Sequence, residues 1–143
     1  MIVAKALLVD DEIPFVETMT KRLNKRDFSI SSAFSGVDAL KLLEENSEVE
    51  VVILDVKMPG MDGIETLKII KQRFPLVEVI MLTGHGTIES AIEGMKLGAF
   101  DYLVKPCDME QLVAKVSEAA MKKRKHNEKI IEAQLKDIAL RRI

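Results

Sequence analysis

Four apolar runs in this chain end in polar groups that could act together. Asp10 and Asp11 follow Ala6-Leu7-Leu8-Val9, Asp55 follows Val51-Val52-Ile53-Leu54, Thr83 follows Val79-Ile80-Met81-Leu82, and Lys105 follows Phe100 to Val104. Taken singly, each is most simply a cap or a solvated loop residue. Together they describe a chemistry. Two ionised carboxylates about 4 Å apart repel by roughly 4 kcal/mol at an effective dielectric of about 20, so three of them call for a cation. Hard oxygen donors select Mg²⁺ or Mn²⁺, and Mg²⁺ keeps waters and accepts phosphate oxygens. A carboxylate can also be the nucleophile toward phosphorus, giving an aspartyl phosphate, while the metal and the Lys105 ammonium offset charge on the equatorial oxygens. The Thr83 hydroxyl can donate to a phosphoryl oxygen, which makes it a candidate sensor of the modified state.

Such convergence needs a scaffold that brings several chain segments to one edge. Short β-branched apolar runs alternate here with longer segments of helical period, the pattern of βαβ units around a parallel sheet. Strands are expected at residues 6–9, 28–34, 51–54, 79–82 and 100–104. The first is almost wholly apolar, as in a central strand covered on both faces, and Phe28 to Phe34 alternates like an edge strand. Helices are expected over 13–26 (inward Val16, Met19, Thr20 and Leu23), 36–45 (inward Val37, Leu40 and Leu43), 64–74, 87–97 and from near Asp108 onward. Five strands and five helices make an α/β, doubly wound parallel sheet. In such a sheet ligands bind beyond the carboxyl ends of the strands, near the point where strand order reverses. All four polar ends would meet there.

The chain's bulk properties exclude several other classes. At 143 residues it can bury one core, with little room for a second independent domain. Lys and Arg total 21 against 23 Asp and Glu, so no net charge draws this segment to nucleic acid or to an acidic membrane. The apolar run in MIVAKALLVDDE is too short for a signal peptide and nothing is long enough to span a bilayer, so a cytoplasmic protein is expected. One cysteine, Cys107, rules out an internal disulfide, and with His85 and His126 it makes no familiar zinc spacing.

Leu7-Leu8-Val9-Asp10-Asp11-Glu12, Asp55-Val56-Lys57-Met58-Pro59-Gly60-Met61-Asp62-Gly63, Thr83-Gly84 and Lys105-Pro106 together resemble the receiver domain of two-component response regulators, over about residues 4 to 121. The resemblance implies a flavodoxin-like (βα)₅ fold and transfer of a phosphoryl group from a histidine kinase to Asp55. It implies Mg²⁺ held by Asp11, Asp55 and the main-chain carbonyl of Lys57, with Asp10 reaching the metal through water. It also implies Thr83 as switch hydroxyl, Tyr102 as aromatic switch, Lys105 as phosphate-binding lysine, and a cis peptide before Pro106. The chain would accept the group on itself and release it slowly, with no separate substrate. TGHGTIESAIEGMKLGAFDYLVKP most resembles receivers of the nitrogen-regulator class, whose output activates transcription with an alternative sigma factor.

Other residues carry weaker signals. His85 and Lys57, each two residues beyond a site residue, would shield the phosphoryl group from water and lengthen its life. Cys107 reads as a buried structural thiol and the methionines as gap-filling residues. The domain is expected over 1–121, with a helical extension over 122–143 that serves as linker or dimerisation helix. Ile131, Leu135 and Ile138 fall at i, i+4, i+7, though the pattern fails upstream at Lys123 and Asn127. A homodimer would form through this helix or through the 87–104 surface, and an output domain or downstream regulator would receive the message. Two rival readings share the residues: an adaptor or dimer scaffold that works without phosphorylation, and a Mg²⁺-dependent aspartyl-phosphate phosphatase. The latter wants a DxD pair where this chain has adjacent Asp10-Asp11.

Overall fold

The computed structural model describes residues 1–141. In chain order the elements are β1 (Ala4–Val9), α1 (Ile13–Asn24), β2 (Phe28–Ala33), α2 (Gly36–Glu45), β3 (Val51–Leu54), α3 (Gly63–Arg73), β4 (Glu78–Thr83), α4 (Ile88–Lys96), β5 (Asp101–Val104) and α5 (Met109–Arg141). The strands form one parallel sheet in the order β2-β1-β3-β4-β5, with Leu8 opposite Ile53 and Ile53 opposite Ile80. The chain moves from β1 outward to β2 and then returns to β3 on the other side of β1. Strand order therefore reverses between β1 and β3, and the loops after these two strands open apart there.

Alternation along the strands builds two apolar layers. Ala6, Leu8, Ile53, Ile80 and Leu82 face α1 and α5, where Val16, Leu23, Leu112 and Val116 meet them. Leu7, Val9, Val52, Leu54 and Met81 face the opposite layer, against Leu40, Leu43, Leu67 and Ile70. Central strands buried on both faces leave polar residues only at their ends, and that places the chemistry.

Several expectations change in detail. Val37 points out, half exposed, and Ala39 is buried instead. Its neighbour Gly36 makes the close approach to α3: a Cβ there would lie 2.2 Å from Thr66 Oγ1, and Val37 is rotated one step around the helix from that contact. Helix α1 ends at Asn24 rather than at 26, and the Thr20 hydroxyl, partly buried, has no partner among the described residues. Phe34 lies past the end of β2 and is exposed. In α5, Ala119 joins Leu112, Val116 and Ala120 in the core, while Val113 is only partly covered.

α5 runs unbroken for 33 residues, well past the last core contact at Ala120. Its first exposed turns are tied to the amino-terminal edge of the sheet. Lys122 pairs with Glu78 at 3.2 Å. Arg124 grips Glu50 through two nitrogens, at 2.5 and 2.9 Å, and donates to the Val3 carbonyl at 2.8 Å. Burial raises the Glu50 carboxyl, but the Arg124 guanidinium and the Lys5 N–H outweigh it and leave the net pKa lowered. From residue 128 on, every described residue of the helix is exposed, Ile131, Leu135 and Ile138 among them. The expected extension also includes Arg142 and Ile143, which lie outside the described residues. Among the described residues no helix is long and apolar enough to cross a membrane.

Candidate functional site

Asp10 and Asp11 leave the end of β1, and Asp55 leaves the end of β3, on either side of the reversal. The main chain fixes both exits: the Asp10 N–H donates to Ala33 O at 3.2 Å and the Asp55 N–H to Val9 O at 3.0 Å, so the sheet ladder continues to the site residues themselves. One oxygen from each of Asp10, Asp11 and Asp55 lies within 4.8 Å of the others. Asp10 and Asp55 are buried, and Asp11 is exposed.

Lys105 reaches across from the end of β5. Its Nζ donates to Asp10 Oδ2 at 2.6 Å, lies 3.6 Å from Glu12, and sits 4.0 Å from the centre of the Phe15 ring. Burial would lower its pKa, but the hydrogen bond and charge of Asp10, aided by Asp55 and Glu12, hold it above the ordinary lysine value. The Asp10 orientation is set from the other side too, since Oδ1 accepts the Glu12 N–H at 2.9 Å.

Asp55 differs from its neighbours. Both carboxylate oxygens are buried and neither has a hydrogen-bond partner among the described residues. Burial is the main cause that pushes its carboxyl above the usual range, and the Asp10 charge adds to it. The Thr83 hydroxyl, the Lys105 ammonium and the Lys57 N–H lie near enough to oppose the shift without reversing it. Four carboxylates (Asp10, Asp11, Glu12, Asp55) thus crowd round the Lys105 ammonium, and both Asp55 oxygens are without a hydrogen-bond partner among the described residues. A hard divalent cation fits that donor set, with Asp10, Asp11 and Asp55 as the residues able to hold it. We predict that adding Mg²⁺ to the wild-type chain raises its melting temperature. At a hundred times the dissociation constant the gain is about 2.7 kcal/mol, read by calorimetry, and a D11N variant loses most of it.

The loop from Asp55 to α3 forms the site's second wall. With Asp11, Glu12, Asp55 and His85, its residues Lys57 and Pro59 line a cleft of about 500 Å³. The loop is closed by Asp62, which caps α3 by accepting the Glu65 N–H at 2.9 Å, and by the Gly63 N–H, which donates to Val56 O at 2.7 Å. Gly63 has to be glycine, because a Cβ there would come within 2.0 Å of the Asp55 carbonyl oxygen and 2.6 Å of Val56 Cα. Gly63→Ala is expected to cost about 1–3 kcal/mol, measured by urea unfolding, and to shift the loop that carries Asp55. Another large cavity, lined by Leu43, Val49, Phe74 and Pro75 with Glu44 and Lys123 among its polar residues, opens at the opposite edge of the sheet.

Thr83 is fully buried at the end of β4, and its Oγ1 accepts the His85 N–H at 3.1 Å. His85 is exposed on the cleft. Tyr102 is half-buried on β5, one strand over, with its hydroxyl 2.9 Å from Ser90 Oγ rather than at Thr83. The Lys105–Pro106 peptide bond is cis. Cys107 is half-buried: it packs against the core layer of α1 and α5, and its Sγ lies 3.4 Å from Asp108 O and 3.8 Å from Gln111 Oε1 at the start of α5. Sequence reasoning passed over Glu12, Phe15 and Ser90. Glu12 alone carried a visible signal, as the third acid in a row.

Asp10, Asp11, Asp55, Lys57, Thr83 and Lys105 therefore stand at one edge of one sheet, with Tyr102 beside them. The chain belongs to the response regulator receiver domain family, whose model matches residues 6–117. Among curated relatives, it is 40% identical over 115 residues to a putative NtrX-like response regulator of Rickettsia conorii, covering 79% of this chain and 24% of that one. It is 38% identical over 114 residues to the DNA-binding transcriptional regulator NtrC of Klebsiella pneumoniae, covering 80% and 24%. The solved receiver domain from Clostridium thermocellum superposes with a TM-score of 0.81 at 37% identity, over 85% of this chain and 97% of that one. The chain spans about a quarter of the length of the curated relatives it matches.

Proposed function

We propose that this chain is the phosphoacceptor switch of a two-component system, modified on Asp55 by a histidine kinase. The observation that carries the reading is Asp55 itself: a buried carboxylate with no hydrogen-bond partner among the described residues, flanked by Asp10 and Asp11 and faced by Lys105. An Asp55 oxygen attacks the phosphorus of a phosphohistidine. The P–O bond forms as the P–N bond breaks, and the electron pair leaves with the imidazole, which takes up a proton. Lys105 is already aimed at the acidic cluster and would exchange part of its contact with Asp10 for a phosphoryl oxygen. Mg²⁺, when held by Asp10, Asp11, Asp55 and the Lys57 main-chain carbonyl, supplies positive charge for the same oxygens. Thr83 is placed to donate to the new group and Tyr102 to respond. His85 and Lys57 line the cleft through which water would approach, which supports slow hydrolysis.

The relatives support a reading of where the signal goes. We infer that residues 1–121 form the receiver and 122–143 a linker or dimerisation helix, within a longer cytoplasmic regulator of transcription. Support comes from the regulators this chain resembles and from the free, apolar-striped end of α5. The exposed Ile88, Ile92, Met95 and Val104 on the α4–β5 face offer a second dimer surface. Incubation with acetyl phosphate and Mg²⁺ tests the reading. Intact mass should rise by one phosphoryl group per chain and hold for minutes or longer. No uptake would favour a scaffold, and decay within seconds would remove the shielding role of His85 and Lys57.

A further inference from the structure

Tyr102 is not loose on the edge strand. Its hydroxyl lies 2.9 Å from Ser90 Oγ, and Ser90 is part of the capping box that starts α4. Each half of that box is made: the Ser90 N–H donates to Thr87 Oγ1 at 3.0 Å, and the Thr87 N–H donates to Ser90 Oγ at 2.9 Å. Ser90 Oγ also lies 3.0 Å from the Thr87 carbonyl oxygen. A serine hydroxyl has one hydrogen and two acceptor sites. Its hydrogen goes to the Thr87 carbonyl, since that oxygen can only accept, and one acceptor site is taken by the Thr87 N–H. The remaining site has two claimants, Tyr102 at 2.9 Å and Thr87 Oγ1 at 3.2 Å, and the nearer is Tyr102. The tyrosine hydroxyl is then the donor, and Ser90 Oγ is fully used.

The same ring is hemmed in from the loop above. At Gly86 a Cβ would fall 2.2 Å from the Tyr102 hydroxyl and 3.0 Å from two ring carbons, so the β4–α4 loop runs directly over the tyrosine. That loop follows directly on Thr83, the last residue of β4. If Thr83 moves toward a group on Asp55, the segment Gly84 to Gly86 moves with it, and the ring cannot keep its place under Gly86. The hydroxyl then leaves Ser90.

We propose that Ser90 is a positioning residue of the switch: by accepting the Tyr102 hydroxyl it latches the ring to the first turn of α4 and holds the unmodified chain in its resting arrangement. This rests on the phosphoacceptor reading and extends it to a residue outside the acidic site. The latch is cheap to release. When Tyr102 leaves, Ser90 loses one acceptor partner, yet both capping-box bonds remain and α4 keeps its start.

The test is a titration of the whole chain with beryllofluoride, a phosphoryl analogue, at fixed Mg²⁺, followed through the α4 amide resonances. A neutral hydrogen bond nets about 1 kcal/mol, so removing one that exists only in the resting state should lower the beryllofluoride midpoint roughly fivefold. Ser90→Ala and Tyr102→Phe should each show that shift, and the double variant should shift no further than either single one. Because Tyr102→Phe leaves the capping box intact, it separates the latch from helix capping. If Ser90→Ala moves the midpoint equally in the Tyr102→Phe background, its effect comes from the cap and the latch is wrong. An unmoved midpoint in both single variants also overturns it. A wild-type chain that shows no response to beryllofluoride would defeat the phosphoacceptor reading, and the latch with it, whereas a responding wild type beside unmoved variants defeats the latch alone.

Discussion

Asp55→Asn should abolish phosphoryl uptake and, in metal-free buffer at neutral pH, melt at a higher temperature than the wild type. A residue whose removal both destroys function and strengthens the fold is one held in place against its own preference. The carboxylate of Asp55 is buried with neither oxygen paired among the described residues, and Asp10 lies close by with the same charge. An unsatisfied buried polar group costs about 1–3 kcal/mol, more when ionised, and Asn removes the charge at almost the same volume. The pH dependence carries a definite sign. Burial raises the Asp55 pKa in the folded chain, so the folded state binds this proton more tightly than the unfolded state does. The wild type is therefore penalised above the folded pKa. As pH falls through that value toward the ordinary aspartate range, the penalty fades and the gap to Asp55→Asn narrows. Paired melts across this range check the trend, and a gap that widened on acidification would mean that Asp55 is stabilised as an anion. With Mg²⁺ present the order should reverse, because the wild type gains binding energy that the variant lacks.

Lys105→Ala is expected to be the most damaging change at the site. The Lys105–Asp10 pair is largely buried: Asp10 Oδ2 accepts from Nζ at 2.6 Å, and the Asp10 side chain is 2% exposed. Removing one member of a buried pair leaves the other charge uncompensated, at a cost of about 3–5 kcal/mol. The aliphatic stem and ammonium also cover the Phe15 ring, and that packing is lost too. Chemical denaturation should show a midpoint shift of that size, and acetyl phosphate labelling should fail even where the variant stays folded. Lys105→Arg separates the two effects. It keeps a charge for Asp10 and should recover most of the stability, but its planar, wider head cannot meet Asp10 and a phosphoryl oxygen as the ammonium would, so labelling should stay impaired. Full labelling of Lys105→Arg would show that Lys105 matters to the fold alone.

Much of this arrangement was legible in the linear sequence for a geometric reason. A strand covered on both faces is apolar until it ends, and in a parallel sheet all such ends lie along one edge, so Asp10, Asp55, Thr83 and Lys105 announced a common location before any contact was known. Contacts between elements were less accessible. Nothing local pairs Ser90 with Tyr102 or Arg124 with Glu50, because those meetings depend on how α4 and α5 lie against the sheet. Val37 and Ala39 illustrate the same limit: helical period narrows the buried face, but Gly36 sets the rotation of α2 through its contact with Thr66, and that shifts the inward stripe. Cys107 reads as a core thiol from its neighbours; it does pack against the core, but only half-buried, because it sits at the exposed start of α5. Helix ends differed by a residue or two, as fraying and capping allow.

The central claim is that Asp55 takes the phosphoryl group, and trapping the modification tests it most directly. After reaction with acetyl phosphate and Mg²⁺, borohydride reduction converts an aspartyl phosphate to homoserine, which peptide mass spectrometry locates. Homoserine should appear at position 55 and at neither Asp10 nor Asp11. Homoserine at another aspartate, or undiminished labelling of Asp55→Asn, would contradict the account.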